Sequence, residues 1–182
     1  MPDLDWNPHE SISRLKAIAW SGRAWRFHNR RFEPADPGGS LIYSGRYHRA
    51  PDRFPVEDTW PALYLAMAPE TALAEVLRHM RPDLIYRLNE YRLSEIEVTF
   101  AAVLDCRDTA TLGVSQEKIT NDFEFTVTQM LASAAIRQGA EAILVPSATD
   151  LGDNLVVFPD QLDASSNLTV VSSRDPRLYV QR

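Results

Sequence analysis

The chain has 182 residues, of which 45% are hydrophobic and 24% are charged. This composition is typical of a globular chain that buries a core, and the length suits a single domain over residues 1–182. The 19 Lys and Arg residues against 25 Asp and Glu residues give a net charge of −6, which repels the phosphate backbone of nucleic acids. We therefore expect no direct nucleic-acid partner, although a local arginine cluster can still bind a small anion.

Several kinds of site are excluded by residues that the sequence lacks. Cys106 is the single cysteine, which excludes an internal disulfide and a thiolate metal cluster and favours a small buried apolar side chain. The four histidines lack the spacing of a zinc site, so no metal is expected. Residues 1–6 lack the basic segment followed by an apolar segment that a signal peptide has, and no apolar stretch approaches the ~20 residues of a membrane span. We expect a soluble cytoplasmic protein without a membrane partner.

The first third of the chain predicts one helix and two strands. An asparagine cap followed by proline predicts a helix over about residues 8–21. Residues 24–28 and 41–48 are expected to form short strands, separated by a loop rich in proline and glycine. The next loop, residues 49–61, carries three prolines and is a candidate cover for a site.

A buried strand followed by a helix is predicted next. Residues 62–67 are almost continuously apolar, and Pro69 suits the first turn of a helix that we expect to end at Pro82. The buried stripe of this helix is predicted to consist of Leu73, Val76, Leu77 and Met80. Glu75 lies roughly opposite the stripe on a helical wheel, so periodicity alone favours a solvated glutamate.

The last part of the chain alternates between strands and one long helix. Residues 97–104 predict a strand, and residues 121–138 predict a helix that ends at Gly139. Three further strands are expected at residues 142–146, 155–158 and 168–172. Together these elements predict an α+β fold with a strand-rich core and flanking helices.

Four short segments carry a recognisable order of residues. They are Ser44-Gly45-Arg46-Tyr47-His48, Leu63-Tyr64-Leu65-Ala66, Pro69-Glu70-Thr71-Ala72-Leu73-Ala74-Glu75-Val76, and Val145-Pro146-Ser147 with Asn154-Leu155-Val156 after it. With a Trp25-Arg26-Phe27 strand before them, they define a motif-bearing core over about residues 24–173. In this order they resemble the RES family, which is named for its Arg, Glu and Ser residues.

The resemblance implies a fold like that of ADP-ribosyltransferase toxins, NAD⁺ as the substrate with no other cofactor, and a role as the toxin of a toxin–antitoxin pair. It also implies a partner, an antitoxin protein of the helix-turn-helix, Xre-like kind. Family members consume NAD⁺ by hydrolysis or phosphorolysis, and some transfer ADP-ribose to a protein. All three outcomes stay open. A catalytically inactive NAD-binding module is a further alternative, because this chain has Tyr47 and His48 where the family usually has Trp-Asn.

The resemblance supplies the candidate catalytic set, which consists of Arg46, Tyr64, Glu75 and Ser147. Cleavage of the nicotinamide–ribose bond builds positive charge on the sugar, and a carboxylate at Glu75 would stabilise that charge in the transition state. The guanidinium of Arg46 would bind the pyrophosphate through paired hydrogen bonds. Tyr64 would offer a flat face to the nicotinamide ring.

Three more residues are candidates for binding NAD⁺. Arg26 is a possible helper at the pyrophosphate, Tyr47 a second aromatic face, and Asn154 a hydrogen-bond donor to ribose or phosphate, as is Ser147. Structural alternatives exist for the catalytic set as well: a core tyrosine at Tyr64, a surface ion-pair partner at Arg46 and a turn residue at Ser147.

Overall fold

Six strands and five helices make up most of the regular structure of the described residues. The structure is a computed structural model that describes residues 6–79 and 87–180. The helices are α1 (Pro8–Ser13), α2 (Pro69–His79), α3 (Gln116–Thr120), α4 (Thr126–Arg137) and α5 (Arg177–Val180). The strands are β1 (Ile18–Asn29), β2 (Leu63–Ala66), β3 (Tyr91–Asp105), β4 (Ala142–Pro146), β5 (Asp153–Val157) and β6 (Asn167–Arg174). The predicted α+β class with a strand-rich core is confirmed.

The sheet is built on β3, which is 15 residues long. Over residues 96–101 its side chains alternate between buried and exposed, as expected for a strand of β-branched and aromatic residues. One edge of β3 pairs antiparallel with β1 along nearly the whole of that strand. The other edge pairs with β6 over residues 93–99 and then, in parallel, with β4 over residues 103–105.

The remaining strands close the sheet into a circuit. β4 pairs antiparallel with β5, and β5 pairs antiparallel with β2. β2 then meets β1 at one pair of residues, Trp25 and Ala66. The pairings therefore lead from β1 through β2, β5, β4 and β3 back to β1. Since β1 and β2 touch at a single pair, the two strands have room to diverge, and residues of both line the cleft described below.

The core lies on both sides of β4 and β5. Ile143 and Val145 pack with buried alanine and leucine residues of α4, whereas Leu144 packs with apolar side chains of β2 and β3. This alternation follows from the two-residue period of a strand, and the apolar runs of β2 and β4 fit strands that are buried on both faces. The strands predicted over residues 62–67 and 142–146 are confirmed.

Cys106 is 1% exposed, and burial raises the pKa of its thiol to about 12, so the residue is the buried apolar side chain that was predicted. Within residues 6–79 and 87–180, no group of three or more His, Cys, Asp or Glu side chains is placed to hold a metal ion. None of the helices in those ranges combines the length and the apolar character needed to cross a lipid bilayer.

The predicted helix over residues 8–21 is wrong beyond Ser13. Its start is correct, since the Asn7 side chain accepts the backbone N–H groups of His9 and Glu10 at 3.0 and 3.4 Å. After Ser13 the chain turns and enters β1, which begins at Ile18. The backbone hydrogen bonds of β1 to β3 are long-range, and they outweigh the local helical spacing of the apolar residues. The strand predicted over residues 24–28 is confirmed as part of β1.

The strand predicted over residues 41–48 is also wrong. A 3₁₀ turn spans Gly38–Leu41, and the residues after it form a loop in which the Gly45 N–H donates to the His48 carbonyl at 3.2 Å. Ser44 and Gly45 favour a turn over strand pairing in this stretch. Arg46 and Tyr47 therefore lie on a loop.

The helix predicted over residues 121–138 begins later than expected. The Asn121 side chain accepts the N–H groups of Phe123 and Glu124 at 2.8 and 2.9 Å, which makes a local turn that competes with helix formation. α4 therefore starts at Thr126, and the separate short helix α3 precedes it. The predicted end is confirmed, because Gly139 adopts the left-handed conformation of a helix C-terminus, with a φ of 82°.

The remaining elements agree with the sequence. The helix opened by Pro69 is confirmed as α2, and Leu73, Val76 and Leu77 pack against the core as a partly buried stripe. Met80 and the predicted helix end at Pro82 lie outside the described residues. The strands predicted over residues 97–104, 155–158 and 168–172 correspond to parts of β3, β5 and β6.

Glu141 is a buried carboxylate that joins three segments of the chain. Its side chain is fully used: Oε2 accepts the N–H groups of Ala101 and Ala102 at 2.7 and 3.2 Å, and Oε1 accepts the Asp163 N–H at 2.6 Å and the Ser166 hydroxyl at 2.7 Å. Glu141 is 2% exposed. A buried carboxylate is tolerated when donors surround it in this way.

We expect Glu141→Gln to lower the free energy of unfolding by about 1–3 kcal/mol, because the new amide directs N–H groups toward backbone donors that then lack an acceptor. Urea unfolding followed by circular dichroism measures the change. Asp160→Asn, which neutralises an exposed carboxylate, is the matched control. A difference below about 0.5 kcal/mol between the two variants, the range of ordinary surface substitutions, would contradict the structural role of Glu141.

Candidate active site

A cleft of about 590 Å³ lies where β1, β2 and α2 come together. Its walls come from elements that are far apart in the sequence. The lining residues are Trp25, Arg26 and Phe27 of β1, Gly45–His48, Tyr64–Ala66 of β2, Ala72, Glu75 and Val76 of α2, Tyr91, Phe125, Pro146, Ala148 and Asn154. A concave, mostly apolar surface with a few polar groups is typical of a small-molecule site.

Glu75 is the polar centre of this cleft. Its Oε1 accepts three hydrogen bonds, from the Ser147 hydroxyl at 2.6 Å, the Asn154 side-chain amide at 2.7 Å and the Ala148 N–H at 3.2 Å. None of the described residues donates to Oε2. The carboxylate is therefore fixed through one oxygen, while the other is available to a ligand. Glu75 is half-buried rather than solvated, in contrast to the interpretation based on periodicity alone.

The turn between β4 and β5 brings the donors to Glu75. Ser147 is 1% exposed, and its N–H donates to the Gly152 carbonyl at 3.0 Å, which closes the turn. Asp150 and Gly152 have φ values of 58° and 76°, so the chain reverses through left-handed backbone conformations. The Thr71 hydroxyl of α2 donates to the Leu151 carbonyl. The turn and the helix that carries Glu75 are thus held together independently of Glu75 itself.

Arg46 lies at another wall of the cleft, with 15% of its side chain exposed. Its Nη1 donates to the Ile119 carbonyl at 2.9 Å and its Nη2 to Asp122 Oδ1 at 3.0 Å. The guanidinium carbon lies 5.6 Å from the centre of the Phe125 ring. Arg46 is therefore both an ion-pair partner of Asp122 and a cation that lines the cleft. These are the two roles that the sequence analysis offered for this residue.

The Tyr64 hydroxyl is held by the loop that precedes its strand. It accepts the Tyr47 N–H at 2.9 Å and lies 2.8 Å from His48 Nδ1. His48 Nε2 lies 2.6 Å from the Tyr43 carbonyl, which only accepts, so Nε2 carries the proton. Nδ1 of the neutral imidazole is then an acceptor, and the Tyr64 hydroxyl donates to it. The hydroxyl is engaged within the protein, and Tyr64 offers its ring to the cleft.

Gly45 makes the approach of His48 possible. A Cβ atom added at Gly45 would lie 2.3 Å from His48 Cε1, well inside contact distance. Burial lowers the pKa of His48, and the contacts with the Tyr43 carbonyl and Asp52 offset only part of that shift. The imidazole is therefore neutral near pH 7, as its hydrogen bonds require.

Tyr47 and Arg26 line the cleft in more constrained positions than the sequence suggested. Tyr47 is 2% exposed, burial raises the pKa of its phenol, and no described residue forms a hydrogen bond with its hydroxyl. Arg26 Nη1 donates to the carbonyls of Pro34 and Asp36 at 2.7 and 2.6 Å. Burial lowers the pKa of Arg26, although the charge of Asp36 opposes the shift. Arg26 thus anchors the loop beside the cleft.

The sequence did not identify the aromatic wall of the cleft. The rings of Phe27 and Tyr91 stack with centroids 5.2 Å apart and planes 26° apart, and Trp25 lies on the same strand as Phe27. Trp25 and Phe27 flank Arg26 in the motif-bearing segment, so they carried a signal that could have been used. Tyr91 and Phe125 have none, because only the fold brings them to the cleft.

The structure brings the predicted site residues together. Six of the seven line the cleft, namely Arg26, Arg46, Tyr47, Tyr64, Glu75 and Asn154, and the seventh, Ser147, donates to Glu75. The loop over residues 49–61 contributes none of the lining residues. Trp60 Nε1 donates instead to the Tyr47 carbonyl at 2.9 Å, so this loop supports the cleft from behind and the expectation that it covers a site is wrong for this cleft.

A strand-rich α+β fold with a carboxylate-centred cleft defines a class of domain that can be matched to a known family. The family model of the RES domain matches residues 23–180 of the sequence. The chain therefore belongs to the RES domain family. A search of the curated proteins finds no match.

Comparison with solved structures finds a similar fold. A chain of the M. tuberculosis MbcT-MbcA toxin-antitoxin complex is similar to this chain, with a TM-score of 0.79 and 25% sequence identity. The similarity covers 96% of this chain and 95% of that chain. The two folds therefore correspond over almost their entire length.

We expect the stability of the protein to fall as the pH is lowered from about 7 to 5. The pKa values of His28 and His48 are lowered in the folded state by burial, so below about pH 6.5 the unfolded chain binds more protons than the folded one. His48→Gln should flatten this pH dependence, and His9→Gln, at an exposed position on α1, should leave it unchanged. Unfolding midpoints in urea at a series of pH values test this, and identical profiles for wild type and His48→Gln would contradict it.

Proposed function

We propose that this protein is an enzyme that cleaves the nicotinamide–ribose bond of NAD⁺, and that it acts as the toxin of a toxin–antitoxin pair. The observation that carries the proposal is the Glu75 carboxylate, whose Oε1 is fixed by three donors while Oε2 receives no hydrogen bond from the described residues. It lies in a cleft that also contains a guanidinium and several aromatic faces. This set of groups suits a dinucleotide with a charged diphosphate and two flat rings.

The reaction needs stabilisation of positive charge at one carbon atom. As the bond between ribose C1′ and the nicotinamide nitrogen breaks, its electrons pass to the ring, and the sugar becomes cationic. Glu75 Oε2 stabilises that charge more in the transition state than in the substrate. Nicotinamide leaves as a neutral molecule and needs no proton, so a single carboxylate suffices. Water then attacks C1′ and loses a proton, which gives ADP-ribose.

The other residues bind and orient the dinucleotide. Arg46 contacts the diphosphate, since a guanidinium matches the geometry of phosphate oxygens. The Tyr64 ring, with its hydroxyl fixed by Tyr47 and His48, provides a rigid flat surface for the nicotinamide. Ser147 and Asn154 act as positioning residues, because they hold Glu75. NAD⁺ is the substrate, and the proposed chemistry requires no further cofactor.

The regulatory part of the proposal is an antitoxin partner. The similar solved chain belongs to a complex described as a toxin-antitoxin complex. Family resemblance points to an antitoxin of the helix-turn-helix, Xre-like kind for this chain. A neighbouring reading frame that encodes such a small protein, and that relieves growth arrest when the two are expressed together, supports this part. A toxic chain that no neighbouring product neutralises contradicts it.

The outcome of bond cleavage depends on which molecule attacks C1′. Water gives ADP-ribose, inorganic phosphate gives ADP-ribose 1″-phosphate, and a protein side chain gives an ADP-ribosylated protein. The inactive alternative rested on Tyr47 and His48 replacing Trp-Asn. His48 accepts a hydrogen bond from Tyr64 in the cleft wall, so the replacement leaves an ordered site and does not favour the inactive alternative.

We expect Glu75→Gln to reduce the rate of nicotinamide release from NAD⁺ at least about 100-fold, because the neutral amide removes the charge that stabilises the cationic sugar. Chromatography of nicotinamide, with purified protein in the presence and absence of phosphate, gives the rate and identifies the attacking group. Glu70→Gln is the matched control, since Glu70 is an exposed glutamate of the same helix. Equal rates for Glu75→Gln and wild type would reject Glu75, and no release by the wild type would reject the activity.

A further inference from the structure

Asp122 forms ion pairs with two arginines from different parts of the chain. Its Oδ1 lies 3.0 Å from Arg46 Nη2, and its Oδ2 lies 2.6 Å from Arg78 Nη2. Arg46 belongs to the loop before β2, whereas Arg78 is on the last turn of α2. One carboxylate therefore bridges two guanidinium groups that are distant in the sequence.

Two guanidinium groups around one anion form an arrangement that also suits a diphosphate. Each guanidinium presents several N–H donors in a plane, and phosphate oxygens accept them in pairs. Two positive charges match the charge of the diphosphate in a dinucleotide, whereas Asp122 supplies only one negative charge. We propose that Arg46 and Arg78 together form a binding site for the diphosphate group of a nucleotide, and that the Asp122 carboxylate is an internal anion which the ligand displaces.

Arg78 is well placed for this role. It follows Glu75 by three residues on α2, and residues at this spacing are neighbours on a helix surface. The 37% exposure of its side chain makes it accessible from solvent. Arg46 keeps its hydrogen bond to the Ile119 carbonyl and its contact with the Phe125 ring when Asp122 leaves. Arg78 is not among the residues that line the cleft, so the proposed site extends from Arg46, at the wall of the cleft, to the adjoining surface of α2.

Asp122 is in a position from which it can move. It lies in the connection between α3 and α4, with 21% of its side chain exposed. The Phe123 side chain is 94% exposed and adds no packing around Asp122. The Asn121 side chain holds the backbone of the turn, so only the Asp122 side chain has to rotate away. The ion pair with Arg78 is the more exposed of the two and is screened by salt. The pair with Arg46 is largely buried, so the ligand has to replace it with charge-assisted hydrogen bonds of its own. A diphosphate that contacts both arginines therefore competes effectively with the Asp122 carboxylate.

This inference deepens the proposed function and rests on it for the identity of the substrate, but its ligand class is tested separately. Calorimetric titration with ADP measures diphosphate binding without any cleavage. We expect Asp122→Asn to lower the Kd for ADP about tenfold and Arg78→Gln to raise it about tenfold, the size expected for one charge-assisted hydrogen bond. Arg78→Lys, which keeps the charge but loses the planar group, should fall between Arg78→Gln and wild type.

Control variants separate local from general charge effects. Asp58→Asn removes an exposed carboxylate, and Arg137→Gln removes an exposed guanidinium about 16 Å along α4 from its first residue. Both should leave the Kd unchanged. Thermal unfolding verifies that each variant is folded, and Arg78→Gln changes a side chain that is exposed enough to leave the fold intact. The proposal is overturned if Arg78→Gln binds ADP like wild type, or if neither wild type nor Asp122→Asn binds ADP at millimolar concentration.

Nicotinamide release distinguishes this inference from the proposed function. ADP binding that depends on Arg78 and Asp122, in a protein that releases no nicotinamide, supports the diphosphate site and rejects NAD⁺ cleavage. Nicotinamide release that depends on Glu75, together with ADP binding that is indifferent to Arg78 and Asp122, supports the activity and rejects this site. Titration with inorganic pyrophosphate shows whether the nucleoside contributes to binding. If ADP binds and pyrophosphate does not, part of the affinity for ADP comes from contacts of the nucleoside with the aromatic wall.

Discussion

Three hydrogen bonds converge on one oxygen of Glu75, and the orientation of the carboxylate at the centre of the cleft depends on them. These bonds join α2 to the turn between β4 and β5, and they come from Ser147, Ala148 and Asn154. A half-buried carboxylate is costly unless donors compensate for lost water. Here the donors do so while leaving Oε2 open, so the same contacts that make the carboxylate tolerable also aim it. The same hydrogen bonds therefore stabilise the buried side of the carboxylate and orient its other oxygen toward a ligand.

The opposite wall of the cleft is organised by hydrogen bonds of a second kind. A chain of hydrogen bonds through the Tyr64 hydroxyl, the His48 ring and the Tyr43 carbonyl ties the loop before β2 to that strand. Gly45 is required for that chain, since any side chain there would collide with the imidazole. β2, which follows this loop, pairs with β5 at Ala66 and Asn154, and Asn154 donates to Glu75. Small changes in the loop are therefore expected to reach the cleft.

Local sequence signals predicted much of the fold but not its long-range pairings. The start of α2 at Pro69 and the buried strand β4 were predictable, because both depend on residues within a few positions of each other. The first residues of β1, 18–21, were mistaken for the end of a helix, since their partners on β3 lie about 80 residues away. The periodicity of α2 placed Glu75 opposite the apolar stripe. That side faces the turn after β4, where Thr71 is also buried, and no local pattern reveals it.

The candidate site was predicted residue by residue through the resemblance, whereas its geometry was not. The order of motifs identified Glu75, Ser147 and Asn154 but not the hydrogen bonds that join them, and it identified Arg46 without its partner Asp122. Asp122 and Arg78 carry no motif, and only the structure shows that they meet. The aromatic wall likewise depends on Tyr91, which reaches Phe27 through the register of β1 on β3. Local patterns in one sequence do not identify residues that act through contacts between distant segments.

The central claim is that the ribose of NAD⁺ becomes cationic at C1′, in the cleft that holds Glu75, as nicotinamide leaves. A secondary kinetic isotope effect on nicotinamide release, measured with NAD⁺ labelled with tritium at C1′ of the nicotinamide ribose, tests it most directly. Bond breaking before attack flattens C1′, so the account predicts that the unlabelled substrate reacts measurably faster than the labelled one. Equal rates for both substrates under conditions where bond cleavage is rate-limiting, or the absence of nicotinamide release, would contradict it.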